Sequence, residues 1–329
     1  MHDFKKKLPW QAALAALITD PEELFTLLEL DKCLLEEARA AATLFPFKVS
    51  HSFVARMQKR NPHDPLLRQV LPLGAELKIV PGYSQDPLQE EKVNPVRGLL
   101  HKYHGRVLIT LTSACAVHCR YCFRRYFPYH ENNPSKKGWD DIFAYLTKNE
   151  TISEVILSGG DPLSVSDQLL AQWLDRLHAV SHVKRLRIHT RFPIIIPERV
   201  TPSLIELLSS SRFNVAMVLH INHPQEINDA VGAALRPLNQ PGITLLNQAV
   251  LLKGVNDSAE VLITLSEKLF TLGILPYYLH RLDKTQGTAH FDLSSAHVEA
   301  LYQTLKQRLP GYLVPRLAQE TAGHLSKIF

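Results

Sequence analysis

Three of the four cysteines in this 329-residue chain fall within one short run, Cys115-Ala-Val-His-Cys119-Arg-Tyr-Cys122. The spacing C-x3-C-x2-C can supply three thiolates to one cubane of iron and sulfide, whereas such clusters are usually held by four cysteines. Three ligands leave one iron open, and an open iron can chelate a substrate or a cofactor. The alternative is a structural zinc site, which normally takes four closed ligands. Because the chain has no second C-x2-C pair and Cys33 lies far upstream, the pattern favours a [4Fe–4S] cluster.

The bulk composition is that of an ordinary globular protein, with 45% hydrophobic and 21% charged residues. The net charge of +5 is not concentrated into the basic stripe that is typical of nucleic-acid binding. The N-terminal residues lack the apolar core of a signal peptide, and no apolar run reaches the roughly 18 residues of a membrane helix. Clustered cysteines also argue against a disulfide framework. We therefore expect a cytoplasmic protein with no nucleic-acid and no membrane partner.

Strand-like and helix-like segments alternate from residue 106 onward. Short apolar runs recur at 106–112, 153–158, 183–189, 213–220, 243–252 and 274–279. Helical patterns lie between several of them, at Asp167–Leu177, Pro202–Leu208 and Ala259–Leu272. This alternation predicts parallel βα units. Six units are fewer than the eight of a complete TIM barrel, so the sequence predicts an α/β fold with an open, partial (βα)6 barrel.

The residues before the barrel have a different pattern, with helical pieces broken by prolines. A helix is predicted to begin at Pro21 with Asp20 as its N-cap. An apolar stripe runs from Leu24 to Leu35, and we interpret Cys33 within it as a small buried hydrophobe. The chain is accordingly divided into an N-terminal helical region (1–95), the barrel (96–310) and a short C-terminal segment (311–329).

The residues with chemical potential follow the predicted strands. In strand order they are the cysteine run, Gly159-Gly160-Asp161, Arg191, His220 and, after the sixth strand, Asp283. Barrel active sites form from loops at the C-terminal ends of the strands. The sequence therefore predicts one site at this rim.

These motifs resemble the radical SAM superfamily and, within it, the lysine 2,3-aminomutases. The resemblance spans about residues 95–329 and rests on the stretches Cys122-Phe-Arg124-Arg125, Leu157–Leu163, Asn247–Asp257 and Leu275–Asp283. The compact length and the ending Glu320-Thr-Ala-Gly-His-Leu-Ser-Lys327 are most similar to the short bacterial subfamily whose β-lysine modifies elongation factor P.

The resemblance implies three cofactors. Cys115, Cys119 and Cys122 would hold the [4Fe–4S] cluster. For S-adenosyl-L-methionine it implies Gly159, Gly160 and Asp161 at the methionyl ammonium and His220 and Gln248 near the nucleoside. For pyridoxal 5′-phosphate it implies Lys327 as the Schiff-base lysine and Lys102 or Arg106 as candidates at the phosphate. Clostridial relatives carry a glycine-rich run before that lysine, whereas only Gly323 precedes it here.

The resemblance also implies how an amino acid would bind. Arg124 matches the position that binds the substrate carboxylate, a task suited to a bidentate guanidinium. Asp283 matches an acid that binds the ε-ammonium, and Glu320 stands where relatives have a second acid, an aspartate. Two acids favour a cationic side chain, because an unpaired charge is costly to bury.

The implied function is that of an isomerase, a radical SAM and pyridoxal-phosphate-dependent lysine 2,3-aminomutase that converts (S)-α-lysine to (R)-β-lysine. Its implied functional partners are elongation factor P and the ligase that attaches the product. No zinc is expected, because the cysteines that bind an interdomain zinc in clostridial relatives are missing, one of them aligning with Ser258. A radical SAM enzyme without pyridoxal phosphate, an aminomutase for another cationic amino acid, and a non-catalytic zinc module stay open as alternatives.

Overall fold

The structure is a computed structural model that describes residues 8–132, 138–324 and 326–327. Its centre is one eight-stranded sheet whose strands follow each other in chain order. The strands are β1 (Leu99–Tyr103), β2 (Arg106–Thr112), β3 (Glu154–Gly159), β4 (Arg185–Thr190), β5 (Asn214–His220), β6 (Ile243–Val250), β7 (Leu275–His280) and β8 (Arg316–Ala318). The described α-helices are α1 (Pro9–Ala15), α2 (Pro21–Leu28), α3 (Leu35–Leu44), α4 (His51–Val54), α5 (Pro65–Arg68), α6 (Tyr129–Asn132), α7 (Gly138–Lys148), α8 (Asp167–His178), α9 (Phe192–Ile195), α10 (Pro202–Ser209), α11 (Asp229–Leu235), α12 (Ala259–Phe270) and α13 (Ser295–Arg308).

Strands β2 to β7 are the six that the apolar runs predicted, with boundaries within two residues of the prediction. Each pairs in parallel with the next along the chain. Helices α8, α10 and α12 also lie where the amphipathic patterns predicted them. The prediction of a partial parallel barrel is confirmed.

Two edge strands were not predicted. β1 pairs antiparallel with β2, and β8, only three residues long, pairs in parallel with β7. Strands this short carry too little alternation to be recognised from sequence. No ladder between β1 and β8 is present in the described part of the chain, so the barrel is open. Because β8 lies in the C-terminal segment, that segment is attached to the barrel by strand pairing; the predicted domain boundaries themselves stay predictions.

The two faces of the barrel strands differ in chemistry. Successive side chains of a strand point to opposite faces. One set of alternating positions, such as Leu186 and Ile188 of β4, belongs to the large hydrophobic core shared with the helices. The other set, which faces the lumen, is largely polar and includes Arg187, His189, Ser158, His220, Gln248, Tyr278 and His280. Barrel interiors are normally filled by branched apolar side chains, so a polar lumen indicates a binding cavity.

The N-terminal region confirms one prediction and corrects another. The side chain of Asp20 caps α2 by accepting a hydrogen bond from the Glu22 amide at 2.9 Å. Cys33, however, is exposed, so its interpretation as a buried residue was wrong. The helix ends at Leu28, after which Glu29 adopts a left-handed conformation with φ of 53°. Cys33 therefore lies on a separate 3-10 turn, where the helical periodicity no longer applies.

No helix among the described residues has both the length and the apolar character that a membrane crossing requires.

Candidate active site

The cysteine run lies in the loop that follows β2, at the C-terminal rim of the barrel. Burial raises the pKa of Cys115 well above its usual value and that of Cys122 to about 11. The negative charge of Cys119 raises both pKa values further, because the three cysteines lie close together in one loop. Yet no three His, Cys, Asp or Glu side chains of the described residues are arranged around a single ion. The donor set itself, three cysteine thiolates on one loop, fits a [4Fe–4S] cluster with one open iron.

A buried carboxylate from the N-terminal region holds this loop in place. Glu76 is fully buried and accepts hydrogen bonds from Arg120 Nε at 2.8 Å and Arg120 Nη2 at 2.7 Å. It also accepts one from Arg125 Nη2 at 2.8 Å. Arg120 lies between two of the cysteines and donates further to the Phe45 carbonyl at 2.8 Å. The cysteine loop is thus tied to the N-terminal region by charge-assisted hydrogen bonds, which are stronger than neutral ones.

The glycines of the Gly159-Gly160-Asp161 turn are required by contact with the cysteine loop. A Cβ atom on Gly159 would lie 2.5 Å from the Thr112 carbonyl oxygen, and one on Gly160 would lie 2.4 Å from that of Ala114. Gly159 also has a φ of 108°, which side chains rarely adopt. From the sequence, we interpreted these glycines as allowing a ligand to approach the backbone closely. The structure adds a second reason, a close approach of backbone to backbone.

The Asp161 carboxylate is fully engaged within the protein. Its two oxygens accept hydrogen bonds from Thr190 Oγ1 at 2.8 Å and from the amides of Leu163, Arg191 and Phe192 at 3.0, 2.8 and 3.0 Å. Burial raises its pKa to about 6, and these donors limit the rise. Asp161 therefore positions the turn that follows β4. Its predicted contact with an adenosylmethionine ammonium stays a prediction.

His220 and Gln248 are opposite each other on β5 and β6, on the face that lines the lumen. The Tyr121 hydroxyl lies 3.0 Å from His220 Nε2, and the two rings stack with centroids 5.7 Å apart. Burial and the nearby charge of Arg191 lower the pKa of His220 to about 3, so the imidazole is neutral. His220 thus adjoins the cysteine loop through Tyr121, with Gln248 on the neighbouring strand. Their contacts with a nucleoside stay predictions.

Arg124 is buried against a carboxylate that sequence reasoning missed. Its Nε and Nη2 donate to Glu90 at 2.7 and 2.6 Å, and its Nη1 donates to the Ser158 hydroxyl at 3.2 Å. Burial would lower the pKa of Arg124, but the charge of Glu90 raises it above its usual value. Glu90 occupies the Nε/Nη2 edge of the guanidinium. The Nη1/Nη2 edge, next to Ser158 of the lumen, is the edge that a substrate carboxylate could use.

Lys327, Glu320 and Lys102 form a second charged group inside the rim. Glu320 is 3.3 Å from Lys327 Nζ and 2.7 Å from Lys102 Nζ. Burial would raise the pKa of Glu320, but the two lysines hold it at about 2. Burial lowers the pKa of Lys327, against the opposing charges of Glu320 and Asp283. A lowered pKa increases the fraction of neutral amine, which is the form that attacks a carbonyl.

Asp283 is a partly buried acid whose carboxylate has no hydrogen-bond donor in the part of the chain that the structure describes. Burial raises its pKa to about 7, helped by the charge of Glu320 and opposed by that of Lys327. Buried polar groups in folded proteins normally have partners. A cationic ligand group is the partner that would complete this one.

Two further polar atoms of the lumen lack partners within the described structure, Tyr103 Oη and His189 Nε2. The pKa of Tyr103 is raised by burial and by the charge of Glu320. The pKa of His189 is lowered by burial and by the charges of Arg187, Lys327 and Arg124. Both atoms thus lie near the Lys327 group, where pyridoxal phosphate would offer polar partners, and these residues fit that cofactor. The alternation Arg185-x-Arg187-x-His189 was the sequence signal that could have identified His189.

The chain is similar to one family model, to several curated proteins and to solved structures. Residues 104–192 match the family model of a 4Fe-4S single cluster domain. The chain is 48% identical to the L-lysine 2,3-aminomutase of Escherichia coli strain K12 over 319 residues, 97% of this chain and 93% of that protein. It is 47% identical to that of Haemophilus influenzae over 97% of this chain and 94% of the relative. It is 31% identical to that of Clostridium subterminale over 95% of this chain and 76% of the relative. Among solved structures, a radical SAM methyltransferase from Sphaerobacter thermophilus matches with a TM-score of 0.47 and 18% identity, over 67% of this chain and 68% of that chain.

An open parallel barrel with a cluster-binding cysteine loop after its first parallel strand is the architecture of a radical SAM enzyme. The sequence relatives narrow that class. The Escherichia coli and Haemophilus influenzae proteins match 97% of this chain at 48% and 47% identity, and both are L-lysine 2,3-aminomutases. The chain belongs to the L-lysine 2,3-aminomutase family.

Proposed function

We propose that this chain is an L-lysine 2,3-aminomutase that converts (S)-α-lysine to (R)-β-lysine. The observation that carries the proposal is the gathering of three kinds of chemistry at one rim. Cys122 of the cysteine loop lies close enough for its charge to act on Arg124. The charges of Arg124 and Lys327 both lower the pKa of His189. The charge of Lys327 also lowers the pKa of Asp283. Residues remote in sequence therefore form one continuous charged lining.

The cofactors proposed are a [4Fe–4S] cluster on the three cysteines, S-adenosyl-L-methionine and pyridoxal 5′-phosphate. When bound, these groups supply a carbon-centred radical and a conjugated ring system through which an amino group can migrate, and the protein orients their reactive atoms. We assign Lys327 to covalent attachment of the pyridoxal group, with Lys102 as a candidate at its phosphate. Gly159, Gly160, Asp161, His220 and Gln248 are assigned to adenosylmethionine.

The substrate is proposed from charge. Glu320 already balances two lysines, whereas no cation of the described residues is in hydrogen-bond contact with the Asp283 carboxyl. A substrate ε-ammonium would therefore bind at Asp283, with Glu320 close by. At the other end, the Nη1/Nη2 edge of Arg124 would hold the α-carboxylate. The rim is thus charged to hold an amino acid by two ends, a cation at one and an anion at the other.

The proposed fate of the product is modification of elongation factor P by its lysine ligase. The chain covers 93% of the Escherichia coli relative but 76% of the Clostridium subterminale relative. It is also more similar in sequence to the former, at 48% against 31% identity. Free cysteines that serve a cluster also suit a reducing compartment, and we place the enzyme in the cytoplasm.

The decisive experiment is anaerobic incubation of reconstituted protein with L-lysine, adenosylmethionine and dithionite, followed by chromatography for β-lysine. Formation of β-lysine is expected, with no product from L-glutamate, whose side chain would meet two acids. A fully loaded enzyme that cleaves adenosylmethionine but leaves L-lysine unchanged would contradict the assignment. An enzyme that prefers L-ornithine or L-arginine would replace lysine with another cationic amino acid.

A further inference from the structure

Arg191 is a buried arginine beside the cysteine loop to which the proposed reaction assigns no role. It directly follows β4 and is 6% exposed. Its Nη1 donates to Cys119 Sγ at 2.8 Å and to the Tyr121 hydroxyl at 2.7 Å. Its Nη2 donates to Gln69 Oε1 at 2.6 Å and to Glu226 Oε2 at 3.0 Å. One guanidinium thus joins a predicted cluster ligand to a carboxylate on the opposite side.

The position of this guanidinium is fixed by several separate segments. The Arg191 amide donates to Asp161 at 2.8 Å, which places the residue relative to the turn after β3. Glu226 is fully buried and accepts from the amides of Asn222 and His223 at 2.9 and 3.0 Å. Gln69 of the N-terminal region donates to the same Glu226 at 3.1 Å. The arginine therefore cannot swing away without breaking a network of buried hydrogen bonds.

A hydrogen bond from a cation to a cluster thiolate has a defined electrostatic consequence. The reduction potentials of iron–sulfur clusters depend on hydrogen bonds to the sulfur atoms, on net charge and on solvent exposure. An electron added to the cluster increases the negative charge on its sulfurs, so a fixed donor stabilises the reduced state more than the oxidised state. The effect is strong in a buried site of low dielectric. A carboxylate behind the donor acts in the opposite direction.

We propose that Arg191 sets the reduction potential of the cluster by donating a hydrogen bond to Cys119, and that Glu226 moderates this effect. Arg191 is in this view a positioning residue that acts through a cluster ligand. The proposal concerns the cluster alone and does not depend on which amino acid the enzyme rearranges.

The test is a pair of variants whose expected shifts have opposite signs. Reconstituted Arg191→Gln and Glu226→Gln proteins are titrated anaerobically against redox mediators without adenosylmethionine, and the reduced cluster is followed by EPR. Loss of the cation in Arg191→Gln should move the midpoint potential to more negative values. Loss of the carboxylate in Glu226→Gln should move it to less negative values. General damage to the fold would not produce shifts of opposite sign.

Arg199→Gln is the matched control, because Arg199 is also buried and donates to the Leu163 carbonyl at 2.6 Å, with no cysteine among its hydrogen-bond partners in the described residues. Its potential should equal that of the wild type. Iron content and circular dichroism normalise the comparison, and Arg191→Met, which also removes the cation, replaces Arg191→Gln if the latter does not retain its iron. The proposal is overturned if the Arg191 variant keeps the wild-type potential, or if both variants shift in the same direction.

Discussion

The two sides of the rim differ in how far the protein completes them by itself. The cluster side consists of Glu76, Arg120, Asp161, Arg191 and Glu226, and each of its three carboxylates accepts hydrogen bonds from protein donors. The ligand side consists of Tyr103, His189, Asp283, Glu320 and Lys327. There, the buried Tyr103 Oη and His189 Nε2 have no hydrogen-bond partner in the described structure, and no described donor reaches the Asp283 carboxylate; of the cluster-side residues only Arg191 Nε is in that position. The cluster side is therefore held in place by the protein alone, whereas polar groups of the ligand side gain hydrogen-bond partners only when a ligand binds.

The largest expected effect is on the cluster side, and it tests whether the three cysteines hold the cluster. Cys119→Ala should abolish reductive cleavage of adenosylmethionine, because two thiolates cannot hold an open-iron cubane. The measurement is the release of methionine and 5′-deoxyadenosine after addition of dithionite. Cys33→Ala is the control, since this cysteine is exposed and remote in sequence from the loop. Cleavage at the wild-type rate by Cys119→Ala would remove the basis for a three-cysteine cluster.

The next largest effect is the loss of stability in Glu76→Ala, which measures how much the buried charges of the cluster side contribute to the free energy of unfolding. Removing this carboxylate leaves two buried guanidiniums unpaired. The expected loss is about 3–5 kcal/mol in the free energy of unfolding, as for one partner of a buried ion pair. Denaturant titration of the cluster-free protein measures it, with exposed Glu37→Ala as the control. A loss equal to that of the control would mean that the cluster side is no more tightly built than the surface.

On the ligand side, Asp283→Asn should have little effect on the free energy of unfolding and a large effect on L-lysine binding, the reverse of Glu76→Ala. The pKa of Asp283 is raised to about 7 in the folded protein, whereas an unfolded aspartate titrates near pH 4. The folded state therefore binds the extra proton between these values, and wild-type stability falls as pH rises from about 4 to about 7. The variant lacks this dependence and should be the more stable protein above pH 7.

The same raised pKa predicts how lysine binding depends on pH. Only the ionised carboxylate pairs with an ε-ammonium, so wild-type affinity should fall by up to about tenfold per pH unit below pH 7. Asp283→Asn should bind L-lysine weakly with no such slope. Equilibrium binding measured without dithionite separates this effect from turnover. An unchanged slope in the variant would move the ε-ammonium contact to another residue.

These expectations also show what could be predicted from sequence. The six parallel strands coincide with short apolar runs and the cysteine run has a diagnostic spacing, so the parallel sheet and the [4Fe–4S] cluster were predicted correctly, while the individual ligands stay predictions. Glu90 was missed because it lies in the irregular connection before β1, where no periodicity marks an inward side chain. The burial of Glu76 and Gln69 beneath the cysteine loop was likewise invisible. Such contacts join segments that are distant in sequence, and only tertiary packing determines them.

The smallest expected effect concerns His189, whose Nε2 is buried without a partner while its pKa is lowered by burial. A neutral imidazole between Arg124 and Lys327 can exchange a hydrogen bond with a bound cofactor without adding charge. His189→Leu should therefore leave the free energy of unfolding nearly unchanged, since no protein partner is lost. It should weaken binding of pyridoxal phosphate by about fivefold, which corresponds to the roughly 1 kcal/mol of one net hydrogen bond. Equilibrium dialysis measures the affinity, and exposed His63→Leu is the control. A stability loss without a change in affinity would show that His189 has a structural role. Tyr103 and Asp283 would then be the remaining groups of the ligand side that await a ligand partner.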